Sequence, residues 1–124
     1  MTTSRSLDGL KILVVEDEFL VAMELGNIIQ SLGGEVVGPV STVSAATELL
    51  ESTEVHGAVL DFGLGTENSV LLAQRLIASG VPILLTTGYS GQMLPETLAH
   101  APRLSKPYGK TSFQELATLH FARP

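Results

Sequence analysis

The sequence contains no cysteine and no tryptophan, and its only aromatic residues are four phenylalanines and two tyrosines. The absence of cysteine excludes a disulfide scaffold and any chemistry that needs a thiolate. Basic residues are also scarce, since seven Lys and Arg stand against 13 Asp and Glu, giving a net charge of −6. Phosphate backbones are bound by clustered positive charge, so this composition argues against a nucleic-acid-binding surface.

Long hydrophobic segments are missing as well. No apolar run approaches the roughly 18 residues that span a bilayer, and the polar N-terminus has no signal-peptide core. The length of 124 residues predicts one domain. We expect residues 1–9 to form a flexible tail and residues 10–124 to form a soluble, cytoplasmic domain.

Short apolar runs alternate with amphipathic segments, which is typical of βαβ units around a parallel sheet. Strands are predicted at residues 11–15, 35–40, 57–61, 82–87 and 103–105. Helices are predicted at about residues 19–32, 43–50, 68–79, 91–101 and 111–121. The fourth helix is the weakest prediction because Gly91 and Pro95 interrupt it. The expected fold class is therefore α/β, with helices on both faces of a five-stranded parallel sheet.

Four polar side chains stand at or just beyond the ends of the apolar runs: Asp17, Asp61, Thr87 and Lys106. In an open parallel sheet, ligands bind outside the carboxyl ends of the strands. Two carboxylates, a hydroxyl and an ammonium at that edge can hold a divalent metal and receive a phosphoryl group.

The acidic string Glu16-Asp17-Glu18 has a simpler explanation, because acids are favoured in the first turn of a helix. Asp61 favours a functional explanation, since strands one and three are expected to be neighbours and to bring Asp61 close to Asp17. Carboxylates that repel one another are suited to a hard cation such as Mg²⁺. A carboxylate can also attack phosphorus and form an aspartyl-phosphate, with metal and lysine neutralising the phosphoryl oxygens.

Other motifs are weaker. Gly63-Leu64-Gly65 follows a strand, as a dinucleotide-binding loop would, but Asn68 replaces the third glycine of that motif, and Asp61 would face the phosphates uncompensated. The three histidines lack the spacing of metal ligands. Thr87 has an alternative explanation without function, because β-branched residues are common in strands. Lys106 has one as well, since it could be an ordinary solvent-facing lysine.

Four strings together resemble the response-regulator receiver domain of two-component signalling, over about residues 10–121. They are Ile12-Leu13-Val14-Val15-Glu16-Asp17-Glu18, Ala58-Val59-Leu60-Asp61, Leu85-Thr86-Thr87-Gly88-Tyr89 and Leu104-Ser105-Lys106-Pro107-Tyr108. The resemblance implies a flavodoxin-like, doubly wound sheet of order 2-1-3-4-5. It also implies that Asp61 accepts phosphate from a histidine kinase or a histidine phosphotransfer protein.

The same resemblance implies the roles of the site residues. Mg²⁺ would be held by Asp17, Asp61 and the backbone carbonyl of Gly63, with Glu16 acting through water. Thr87 and Lys106 would hold the phosphoryl group, and the Lys106-Pro107 peptide bond would be cis.

Two positions depart from the family pattern. Arg103 stands where many receivers carry a switch aromatic, three residues before the lysine. Tyr89 then becomes the candidate switch aromatic, because it is the nearest ring to Thr87 along the chain. The loop after Asp61 also lacks the proline that is common there.

We expect a receiver that is not an enzyme beyond its own phosphoryl acceptance and dephosphorylation. Its output would be protein–protein interaction or service as a phosphate sink. The alternative is a pseudo-receiver, which keeps the fold as an interaction module without the chemistry. A flavin protein or an aspartate-nucleophile phosphatase is a third hypothesis, which no loop supports, and Gly63 replaces the second aspartate typical of such phosphatases.

Overall fold

The computed structural model describes residues 6–62, 68–88 and 96–122. Five parallel strands form one sheet in the order β2-β1-β3-β4-β5, which confirms the predicted topology. The strands are β1 (Lys11–Val15), β2 (Glu35–Val40), β3 (Gly57–Asp61), β4 (Ile83–Thr87) and β5 (Arg103–Ser105). The helices are α1 (Phe19–Ser31), α2 (Val43–Leu50), α3 (Asn68–Ala78) and α4 (Lys110–Phe121), and a short 3₁₀ helix covers Glu96–Leu98.

The sheet separates two apolar layers, because alternate side chains of a strand point to opposite faces. Ile12 and Val14 of β1 pack in the layer that includes residues of α1 and α4. Leu13 and Val15 pack in the opposite layer, with residues of α2 and α3. Strand β3 is buried along its whole length, as expected for the central strand of a sheet covered on both faces.

Local signals set the ends of several helices. The hydroxyl of Thr42 caps α2 by accepting a hydrogen bond from the backbone N–H of Ala45 at 3.1 Å. Gly33, just after α1, and Gly80, just after α3, both have positive φ angles. This left-handed conformation is the one that glycine adopts most readily at the end of a helix.

Two predictions need correction. Of the predicted helix at residues 91–101, residues 91–95 lie outside the described part, and the remainder contains only the 3₁₀ helix, whose Leu98 is fully buried. The predicted tail also extends too far. Leu7 is fully buried, and its backbone N–H donates to the carbonyl of Leu32 at 2.9 Å. Leu7 therefore belongs to the hydrophobic core, although Asp8 and Gly9 beside it are exposed.

Within the described ranges, no helix is both long and apolar enough to cross a membrane.

Candidate functional site

The carboxyl ends of four neighbouring strands lie at one edge of the sheet. Val15 pairs with Leu60, so the residues that follow β1 lie beside Asp61 at the end of β3. Asp61 in turn pairs with Thr86 of β4. The backbone N–H of Lys106, just after β5, donates to the carbonyl of Thr87 at 2.8 Å. The strand register therefore brings the predicted residues to one edge, although the chain separates them widely.

An acidic cluster occupies this edge. Glu16, Asp17 and Asp61 each offer a carboxylate oxygen, and these oxygens all lie within 4.8 Å of one another. Glu16 and Asp61 are buried, whereas Asp17 is exposed. Oxygen donors of this kind suit Mg²⁺, which binds through one or two carboxylates and retains several waters. Asp17, on the exposed side, leaves the cluster open to solvent, so the donor set fits a hydrated divalent cation.

Lys106 is the cation that the described structure places within this cluster. Its Nζ lies 3.2 Å from Asp61 Oδ2 and 3.1 Å from Glu16 Oε2, and it also contacts Glu18 Oε1 at 3.0 Å. The Lys106 side chain is 19% exposed, while those of Asp61 and Glu16 are 4% and 1% exposed. The peptide bond from Lys106 to Pro107 is cis.

Burial and the neighbouring charged groups shift the pKa values of Glu16 and Lys106. Burial raises the pKa of Glu16 to about 7, although the hydrogen bonds from the backbone of Glu18 and from Lys106 oppose this shift. Burial alone would lower the pKa of Lys106, but its contacts with Glu18 and Glu16 and the charge of Asp61 outweigh burial and raise that pKa. Lys106 therefore stays positively charged, and Glu16 titrates near neutral pH.

The two threonines at the end of β4 face opposite sides of the sheet, because they are adjacent in a strand. Both are buried. The Thr86 hydroxyl has no hydrogen-bond partner among the described residues. Thr87 ends the strand at the level of Lys106, as its predicted phosphoryl-binding role requires; the role itself stays a prediction.

The structure adds two residues to the predicted set. Glu18 contacts Lys106 directly, and its place beside Glu16 and Asp17 in the sequence was the available signal, which helix capping also explained. Tyr108 is partly buried with its hydroxyl unpartnered among the described residues, and burial together with the charge of Glu16 raises its pKa to about 12. Two predicted positions, the Gly63 carbonyl and Tyr89, lie outside the described residues.

Several proteins of known sequence or structure resemble this chain. The solution structure of SdrG from Sphingomonas melonis Fr1 is 34% identical, with a TM-score of 0.76, and the match covers 96% of this chain and 98% of SdrG. The sensor protein TorS of Escherichia coli (strain K12) is 33% identical over 93 residues, which are 74% of this chain. The regulator PhyR of Methylorubrum extorquens is 32% identical over 87 residues, which are 68% of this chain.

The curated relatives are much longer than the matched region, which spans 10% of TorS and 33% of PhyR. No family model matches the chain. Response-regulator receiver domains of the same fold are nevertheless among the solved structures that resemble it. The match to SdrG covers nearly the whole chain, and the site at the edge of the sheet contains the acidic cluster and the lysine expected of a receiver. The chain belongs to the response-regulator receiver domains of two-component systems.

Proposed function

We propose that this receiver domain is a phosphoacceptor and that Asp61 receives the phosphoryl group. The supporting observation is the contact of 3.2 Å between Lys106 Nζ and a buried oxygen of Asp61. This contact holds a permanent positive charge beside the carboxylate that would carry the new negative charge. The donor would be a histidine kinase or a histidine phosphotransfer protein.

The proposed reaction is a direct transfer between two side chains. A carboxylate oxygen of Asp61 forms a bond to phosphorus while the phosphorus–nitrogen bond of the donor phosphohistidine breaks. The leaving imidazole keeps the electron pair of the broken bond. Lys106 neutralises charge on the phosphoryl oxygens, and the Thr87 hydroxyl donates a hydrogen bond to one of them.

Mg²⁺ is the proposed cofactor. Asp17 and Asp61 would hold the ion, with Glu16 acting through water and the Gly63 carbonyl as a further predicted ligand. When bound, the ion would supply charge neutralisation at the phosphoryl group and relieve repulsion among the carboxylates.

The proposed output of this domain is either binding to another protein or removal of phosphoryl groups from the signalling pathway as a phosphate sink. We place this activity in the cytoplasm. The domain would catalyse no reaction on a separate substrate. A second solved structure, of SdrG from Pseudomonas melonis Fr1, shows a BeF₃-activated conformation and aligns with this chain at 30% identity. The likeness supports switching of this receiver by a group that resembles a phosphoryl group. Arg103 is exposed on β5, so this position supplies no aromatic switch.

The test is incubation of the protein with Mg²⁺ and phosphoramidate, followed by intact mass measurement. Wild type should gain one phosphate, and Asp61→Asn should gain none while keeping its fold. Asp8→Asn is the matched control, because it makes the same change in charge at an exposed aspartate and should be labelled normally. A wild-type protein that takes up no phosphate would favour a pseudo-receiver, and normal labelling of Asp61→Asn would show that Asp61 is not the acceptor.

A further inference from the structure

We propose that Glu18 is a positioning residue: its carboxylate forms an ion pair with Lys106 in the unphosphorylated protein. In that position it competes with the incoming phosphoryl group for the Lys106 ammonium. This inference rests on the proposed function and concerns the same site. A lysine ammonium has three hydrogen-bond donors and no acceptor. Lys106 Nζ donates to Glu16 Oε1 at 3.4 Å, to Glu18 Oε1 at 3.0 Å and to Asp61 Oδ2 at 3.2 Å. Three carboxylates therefore engage its three donors.

A phosphoryl group on Asp61 needs at least one of these donors. Asp61 itself is the acceptor, and Glu16 is held in place because the backbone N–H of Glu18 donates to its Oε1 at 3.0 Å. The side chain of Glu18 is 61% exposed, compared with 1% for Glu16. Glu18 can therefore release Lys106 and return its carboxylate to water at the lowest cost of the three.

The side chain of Glu18 has no competing structural role in the helix that follows it. Glu18 is the N-cap residue of α1, but its carboxylate accepts no capping hydrogen bond from the helix. It instead lines an open cavity of about 410 Å³ together with Glu24, Gly88, Lys106 and Tyr108. An anion that approaches Lys106 through this cavity is repelled by two carboxylates: that of Glu18, which contacts the lysine, and that of Glu24, which lines the cavity.

The contact predicts a measurable competition. Loss of an exposed ion pair changes an equilibrium by about two- to fivefold. Glu18→Gln should therefore bind fluoroberyllate, a phosphoryl mimic, about two- to fivefold more tightly than wild type at saturating Mg²⁺. Glu24→Gln removes the same charge from the same cavity, but Glu24 is not among the carboxylates that contact Lys106, so its effect should be smaller.

A third variant separates contact from charge. Glu18→Asp keeps the negative charge but shortens the side chain by one carbon, which weakens the contact of 3.0 Å with Lys106. It should bind fluoroberyllate more tightly than wild type if the direct contact matters, and equally if only the charge matters. A purely structural role for Glu18 would instead lower the melting temperature of these variants without tightening binding.

The experiment is a calorimetric titration of fluoroberyllate into wild type, Glu18→Gln, Glu18→Asp and Glu24→Gln, with Mg²⁺ affinity measured separately for each. Tighter binding by both Glu18 variants than by Glu24→Gln is the expected result. If wild type binds and Glu18→Gln binds no more tightly than Glu24→Gln, the competition is wrong and the proposed function stands. If no variant binds fluoroberyllate while all bind Mg²⁺ and remain folded, the proposed function fails and this inference fails with it.

Discussion

Replacement of Lys106 by methionine would remove a positive charge from among three carboxylates while keeping a side chain of similar length. Asp61 and Glu16 would then remain buried near each other without this cation. Breaking a buried ion pair by removing one partner costs about 3–5 kcal/mol. We expect Lys106→Met to lower the free energy of unfolding in metal-free buffer.

Two features of the site reduce this cost. Lys106 is 19% exposed, so water already screens part of the interaction. Glu16, whose pKa is about 7, can also take up a proton at a cost of about 1.4 kcal/mol per pH unit above its pKa. We therefore expect a loss of about 2–3 kcal/mol at pH 8 and about 1 kcal/mol at pH 6.

The sign of the pH dependence follows from the pKa of Glu16. Lys106 lowers that pKa, so its removal raises it further above the unfolded value. The folded variant then holds the extra proton to higher pH, and its stability keeps falling above pH 7, where the contribution of Glu16 in wild type levels off.

Urea denaturation in EDTA at pH 6, 7 and 8 measures this effect. Lys110→Met is the matched control, because it makes the same change in net charge at an exposed lysine. Two results would show that Lys106 does not neutralise the negative charge of these carboxylates. One is a loss of stability in Lys106→Met that is no larger than in Lys110→Met at pH 8, and the other is a loss that is independent of pH.

Two other predictions concern the carboxylates themselves. Asp17→Asn should stabilise the metal-free protein by less than about 1 kcal/mol, because it relieves repulsion between carboxylates at an exposed position. It should also abolish the rise in melting temperature that millimolar Mg²⁺ gives wild type. A retained rise would contradict the metal site. The free energy of unfolding of wild type in EDTA should fall by about 3 kcal/mol between about pH 4.5 and 7, because folded Glu16 binds its proton more tightly than the unfolded chain does. Glu16→Gln should remove this fall, and an unchanged pH profile would assign it to another group.

Local sequence patterns were sufficient to predict the strands and most helix boundaries. β1, β2, β3 and β5 have the predicted limits, and β4 begins one residue later than predicted. The strand limits depend on apolar runs, and the helix limits depend on local signals such as the Thr42 cap and the glycines after α1 and α3. Such signals act within a few residues, so they can be recognised without the fold. The strand order, in contrast, followed from the family resemblance.

Contacts between residues that are far apart in the chain could not be predicted from local patterns. Lys106 lies 88 residues from Glu18 in the chain, and local patterning contains no information on their contact. The burial of Leu7 depends on packing against distant helices. Gly57 also lacks room for a side chain, since a Cβ there would lie 2.8 Å from the ring of Phe121. These features arise when parallel strands align their ends and helices cover the sheet, because the neighbours of each side chain are then set by register and packing.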